Sequence, residues 1–165
     1  MFAKPNREGT MQIARTLVVD DDAGFRRRVR QFLASEPSIE VIGEAADGQE
    51  AILKARELKP DVVLMDVRMP GTNGVDATRL INDEMPRIKV IVLSLYDVDE
   101  YRQAATASGA SAYVPKKSLV DELVPTIQRI WRIRRSMTFS RRESDGEMRI
   151  GRQGHQHSAH RGQPR

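Results

Sequence analysis

The chain contains no cysteine among its 165 residues. That removes disulfide frameworks and thiolate chemistry, and nothing points to an oxidising compartment. No apolar run approaches the roughly 20 residues that a membrane helix needs. The opening MFAKPNREGT lacks the apolar stretch of a secretory signal. Neither GxGxxG nor a GxxxxGK loop followed by Ser or Thr occurs, so nucleotide binding of those types has no support. There is no internal repeat. A cytosolic protein is the expectation from these absences, and the length suits one domain with a real core.

One region is strongly patterned, from about residue 13 to 133. Short runs rich in Val, Ile and Leu predict strands at about 13–19, 39–44, 61–65, 88–94 and 111–114. Runs of that kind suit strands covered on both faces. Between them, helical patterns fall at about 23–35, 48–58, 74–84, 97–108 and 118–133. In the second helix Ala51, Ile52, Ala55 and Leu58 form one stripe at helical spacing. Asp22 and Asp47 suit helix caps, and Pro60 stops the second helix before the next strand. Ser118 with Asp121 three residues on predicts a capping box for the last helix. Strict alternation of strand and helix implies a parallel sheet with right-handed crossovers, hence a five-stranded α/β sandwich. Residues 1–12 are expected to be a flexible leader. Residues 134–165 are polar, cannot bury enough surface to offset ordering, and are expected to be a disordered tail.

Charge divides the same way. Residues 131–165 hold nine arginines and three acidic residues, a charge of +6. The chain has 27 basic and 23 acidic residues in all, so 18 and 20 remain in 1–130, a charge of −2. The body is mildly acidic and the tail basic.

Four apolar runs end in polar groups. Asp20-Asp21-Asp22 follows TLVV, Asp66 ends DVVLMD, Ser94 follows VIVL, and Lys116 follows SAYVP. If those runs are parallel strands of one sheet, all four groups emerge at its carboxyl edge, where doubly wound folds bind ligands. Carboxylates, a hydroxyl and an ammonium around one cleft suit a divalent cation and a phosphoryl group. Magnesium takes one or two protein carboxylates together with water and phosphate oxygens. Clustered carboxylates are costly unless a cation neutralises them. Asp66 is released into Met69-Pro70-Gly71 and Gly74, a turn-forming loop, and such a carboxylate can act as a nucleophile toward phosphorus. Taken singly, each group has a plainer reading: a turn acid, a strand-end serine, a surface lysine. Lys117 is read as solvated and Trp131 as a packing residue.

Those motifs resemble the receiver domain of two-component response regulators. The match runs over about 13–130 through LVVDDD, VVLMDVRMPGTNG, VIVLS and GASAYVPKKS. LSLYDVDEY and AYVPKKS are similar to the NarL/FixJ type. The resemblance implies a flavodoxin-like (βα)5 fold, a doubly wound five-stranded parallel sheet with helices on both faces. It implies that Asp66 is the phosphoacceptor, taking phosphate from a histidine kinase or phosphotransfer protein. Asp21, Asp66 and the Arg68 backbone carbonyl would ligate Mg2+, with Asp20 acting through water. Ser94 and Lys116 would bind the phosphoryl group, and Tyr113 would be the switch aromatic. The face formed by helix four, strand five and helix five would bind an output protein or a second copy. The domain would be a signalling phosphoacceptor, limited as an enzyme to its own phosphorylation and dephosphorylation.

Four features depart from that pattern. NarL/FixJ members usually carry a C-terminal helix-turn-helix, and the 35 residues from Trp131 on are too few for one. The expected output is therefore protein–protein contact, or the tail itself. Pro125 falls inside the last helix pattern and is expected to kink or break it. Arg68 and Tyr96 occupy positions that tune dephosphorylation in the family, and Leu95 is bulkier than the family's frequent Ala or Gly. Together they suggest a long-lived phosphoryl group.

Two other classes compete. In a haloacid-dehalogenase-like phosphatase, Asp20 and Asp22 would be nucleophile and acid/base, with Ser94 and Lys116 on phosphate; Asp66 is then idle. In a nucleic-acid-binding regulator, Arg132, Arg134, Arg135, Arg141 and Arg142 would contact phosphates. Phe139 is the only nearby aromatic within the tail proper, so stacking support is thin, and a solubilising or degenerate extension is the plainer reading. His155, His157 and His160 are close enough to suggest a metal site, but have no folded frame.

Overall fold

A computed structural model describes residues 12–132. The leader through residue 11, the tail from 134 on and its three histidines lie outside the described residues. The elements alternate as expected: β1 (Ala14–Val19), α1 (Ala23–Leu33), β2 (Ile39–Ala45), α2 (Gly48–Leu58), β3 (Val62–Asp66), α3 (Gly74–Glu84), β4 (Lys89–Ser94), α4 (Asp99–Ala107) and β5 (Ala112–Pro115). A 3-10 turn at Lys116–Ser118 leads into α5, which runs from 119 through 132. The strands form one parallel sheet in the order β2-β1-β3-β4-β5.

The sheet is covered on both faces because side chains alternate along each strand. Val18, Leu64, Ile91 and Leu93 pack with Val29 and Leu33 of α1 and with Leu123, Ile127, Ile130 and Trp131 of α5. Leu17, Val19, Val63, Met65 and Val90 point the other way, onto Ala51, Ile52 and Ala55 of α2 and Ala77 and Ile81 of α3. Val67 and Val92 meet Ala105 of α4. The stripe expected on α2 is therefore its buried face, and Trp131 is a packing residue.

Helix entries follow the local chemistry. Asp22 caps α1 by accepting from the Phe25 amide at 3.1 Å, and Asp47 caps α2 by accepting from Glu50 at 2.8 Å. Each satisfies an amide that the helix leaves without a partner.

Three expectations need correction. Helix α4 begins at Asp99, not 97, because Val98 holds an extended backbone with φ −127° and ψ 148°. The capping box at Ser118 does not form. The turn starts two residues earlier, after extended Pro115, with no side-chain cap, so Ser118 lies inside a turn that continues into α5. Pro125 does not break α5, which is uninterrupted from 119 to 132. Proline in a helix interior costs about 3 kcal/mol relative to Ala. Burial of Leu123, Ile127 and Ile130 contributes about 1.5–3 kcal/mol each, so packing prevails. Pro125 and Asp121, whose carbonyl loses its helical partner, are both exposed, so water can serve that oxygen.

Candidate functional site

Register sets the site. Val19 pairs with Met65, so the next residues, Asp20 and Asp66, leave neighbouring strands side by side. Asp66 pairs with Leu93, one residue before Ser94. Ser94 pairs with Pro115, one residue before Lys116. The crossover reverses between β1 and β3, so the loops there diverge and leave a crevice, the switch point at which doubly wound sheets bind ligands.

The loop after β3 is pinned from beneath. The Gly74 amide donates to the Val67 carbonyl at 3.0 Å. A Cβ on Gly74 would lie 1.8 Å from the Asp66 carbonyl oxygen. Only glycine allows α3 to start this close to the end of β3. Gly71 takes φ +76°, the left-handed conformation that glycine adopts without a Cβ penalty.

Asp20 is 1% exposed and held on every side. Its amide donates to the Ala45 carbonyl at 3.1 Å. One carboxylate oxygen accepts from the Asp22 amide at 2.9 Å; the other accepts from Lys116 Nζ at 2.6 Å. Its carbonyl accepts from Arg26 Nη1 at 2.6 Å. Lys116 Nζ also lies 3.3 Å from Asp66 Oδ1, so at rest it favours Asp20 over Asp66. Carboxylate oxygens of Asp20, Asp21 and Asp66 all fall within 4.8 Å of one another. Burial pushes the Asp66 carboxyl up to about 6, and the Asp20 charge adds to that; Lys116 opposes it, and Asp21 raises it further. Three hard oxygen donors with excess negative charge are the donor set that fits a divalent cation such as Mg2+.

Ser94 is 1% exposed, and its Oγ accepts from the Tyr96 amide at 3.0 Å. Arg68 turns its side chain to Tyr96: Nη1 donates to the phenol oxygen at 3.1 Å, and the guanidinium lies 5.5 Å from the ring centre. Tyr96 stacks on Tyr101 with centroids 5.4 Å apart. The Tyr113 hydroxyl donates to the Tyr96 carbonyl, while Arg102 lies 4.8 Å from the Tyr113 ring centre. Lys117 is exposed but pairs with Asp97 at 3.0 Å.

The phosphatase-like arrangement does not form. Asp22 is spent on the α1 cap and exposed, while Asp66 converges with Asp20 and Asp21. Sequence reasoning missed two residues at this site. Phe25 lies under Lys116, with Nζ 4.1 Å from the ring centre, and Arg26 holds the Asp20 main chain. A helical side chain covers the turn N-terminal to its own Cα. Phe25 and Arg26 follow the acidic run by one helical turn, and that spacing was the available signal.

An open parallel sheet with acids at its switch point and a lysine after its last strand defines a class of phosphoacceptor modules. The family model for the response regulator receiver domain matches residues 16–128. The chain belongs to that family. It is 40% identical over 117 residues to the response regulator GacA of Pseudomonas protegens, covering 71% of this chain and 55% of GacA. It is 38% identical over 112 residues to the transcriptional regulatory protein DegU of Brevibacillus brevis, covering 68% and 48%. The chain thus spans about half the length of these curated relatives. A LuxR-family two-component response regulator from Aurantimonas sp. SI85-9A1 is similar in structure, with TM-score 0.70 and 35% identity, covering 73% of this chain and 86% of that one. The described residues are therefore a flavodoxin-like receiver domain of two-component signalling. Among them, no helix is long and apolar enough to cross a membrane.

Proposed function

We propose that Asp66 is the residue phosphorylated in this domain. One observation carries the reading: a nearly buried carboxylate, at the end of β3, shares its pocket with two other carboxylates and an ammonium. An Asp66 oxygen attacks the phosphorus of a phosphohistidine on a kinase or phosphotransfer protein. The O–P bond forms as the N–P bond breaks, and the electron pair stays on the departing imidazole. Asp21 and Asp66, the Arg68 carbonyl and Asp20 through water would hold Mg2+. When bound, the cation offsets the repulsion between the incoming phosphoryl oxygens and the site's carboxylates.

The chain's own groups do the rest. Lys116 exchanges its contact with Asp66 for a phosphoryl oxygen, and the Ser94 hydroxyl donates to another. Drawing Ser94 inward loosens its bond to the Tyr96 amide. The Tyr96 carbonyl then no longer holds Tyr113, which turns inward and shifts a two-state equilibrium of the β4–α4 loop. The face formed by α4, β5 and α5 is the surface that changes, and an output protein or a second copy of the chain reads it.

The test is incubation with acetyl phosphate and Mg2+, followed by mass measurement. Wild type should gain one phosphoryl mass and Asp66→Asn none. Equal labelling of the two proteins would remove Asp66 from the role.

A further inference from the structure

We propose that Phe25 is a positioning residue for phosphoryl transfer, because its ring face holds the Lys116 ammonium where the phosphoryl group arrives. The inference rests on the reading of Asp66 as acceptor.

The Lys116 ammonium has three N–H donors. One goes to Asp20 Oδ2 at 2.6 Å and another faces Asp66 Oδ1 at 3.3 Å. The Phe25 ring, its centre 4.1 Å from Nζ, supplies the third side. A cation within about 6 Å of a ring centroid is attracted by the ring's negative face, more strongly when shielded from water. Shielding is substantial here. The Lys116 side chain is 10% exposed, and Phe25 packs against the core shared by α1 and α5.

The ring differs from the other two partners in one respect. Asp66 changes charge when it is phosphorylated, and Asp20 must share its carboxylate with any cation in the pocket. Phe25 is neutral and takes no part in the bond changes. Its hold on Lys116 does not depend on the charge of either carboxylate. Lys116 reaches Asp66 while resting on the ring, so the ring holds it close to the phosphoryl position. Phe25 itself is fixed by helix geometry, one turn after the Asp22 cap.

The decisive experiment grades the ring's electron density without changing its shape. Phe25 is replaced by mono-, di- and trifluorinated phenylalanine, with Phe25→Leu as the endpoint, and the initial rate of acetyl-phosphate labelling is measured at saturating Mg2+. The rate should fall stepwise with fluorination, to about one fifth of wild type for the weakest ring and for Leu. Fluorination changes the shape of the ring little, so a purely packing role would leave the rate flat. A flat or rising series overturns the inference, and so does a Leu variant as fast as wild type.

A second readout uses metal-free protein. The Lys116 methylene protons next to Nζ should be shifted upfield by the ring, and Phe25→Leu should abolish that shift; unshifted wild-type protons also overturn the inference. Normal labelling of Asp66 with a flat series sinks the Phe25 role alone. Absence of label on Asp66 in wild type sinks the acceptor reading, and this inference with it.

Discussion

The two halves of the sheet's carboxyl edge are built differently. On the β1–β3 side, Asp20 is buried and bonded through amide, carbonyl and both carboxylate oxygens, and Asp66 is 6% exposed beside it. On the β4–β5 side, Tyr96 is 43% exposed. Its neighbours Arg68, Tyr101 and Tyr113 hold it by single hydrogen bonds and ring contacts. Such contacts are worth about 0.5–1.5 kcal/mol each, while breaking a buried charge pair costs about 3–5 kcal/mol. The first half is therefore set in advance for chemistry. The second can trade one set of contacts for another at little cost, as a switch requires. The Ser94 hydroxyl, on the Tyr96 amide, links the two.

Three experiments can break that comparison or sharpen it. The largest effect is expected at Lys116. Lys116→Met removes the ammonium and leaves three converging carboxylates, so urea unfolding of metal-free protein should show a loss of about 3 kcal/mol. Added Mg2+ should recover much of it. A loss below about 1 kcal/mol would mean that the β1–β3 half is no more rigid than the other.

Next comes pH. The folded pKa of Asp66 is raised from 3.8 to about 6, so between those values the native state keeps a proton that the unfolded chain has released. Its contribution to stability is greatest below pH 3.8 and is lost as pH rises through 6. Metal-free Asp66→Asn should therefore match wild type near pH 4 and exceed it by about 2–3 kcal/mol at pH 7. A difference independent of pH would show that Asp66 is not under electrostatic stress.

The smallest change in stability is expected on the β4–β5 side. Tyr113→Phe removes one half-exposed hydrogen bond, at a cost of about 0.5–1 kcal/mol, and should leave the labelling rate within about twofold. Its effect belongs in the coupling of phosphorylation to partner binding or self-association. A large fall in labelling would erase the division between the halves. The Arg68–Tyr96 bridge and Leu95 bear on the lifetime of the label, proposed to be long. Loss within seconds in wild type with Mg2+ present would contradict that, and Tyr96→Ala should shorten the lifetime.

The division also explains what could be read from the chain. Buried parallel strands make apolar runs with abrupt polar ends, so Asp20, Asp66, Ser94 and Lys116 were visible as strand exits. The register then aligns those exits almost residue for residue. Helices α2 and α3 were legible to the residue because Asp47 and Asn73 cap them through their own side chains. Features decided by tertiary contact were not legible. Helix α4 has no side-chain cap, so its start depends on the loop before it. Pro125 misled because local propensity is weaker than the packing of α5 on the sheet. Phe25 and Tyr96 lie far in sequence from Lys116 and Arg68; the spacing of Phe25 after the acidic run places it near the site but does not say which cation its ring meets.

Of the three carboxylates in the pocket, Asp66 alone is proposed to receive the phosphoryl group. The most direct measurement is to label with acetyl phosphate and Mg2+, trap the acyl phosphate by borohydride reduction, and map the reduced residue by peptide mass spectrometry. Reduction is expected at Asp66 and at no other residue. Reduction at Asp20 or Asp21, with Asp66 untouched, would contradict it.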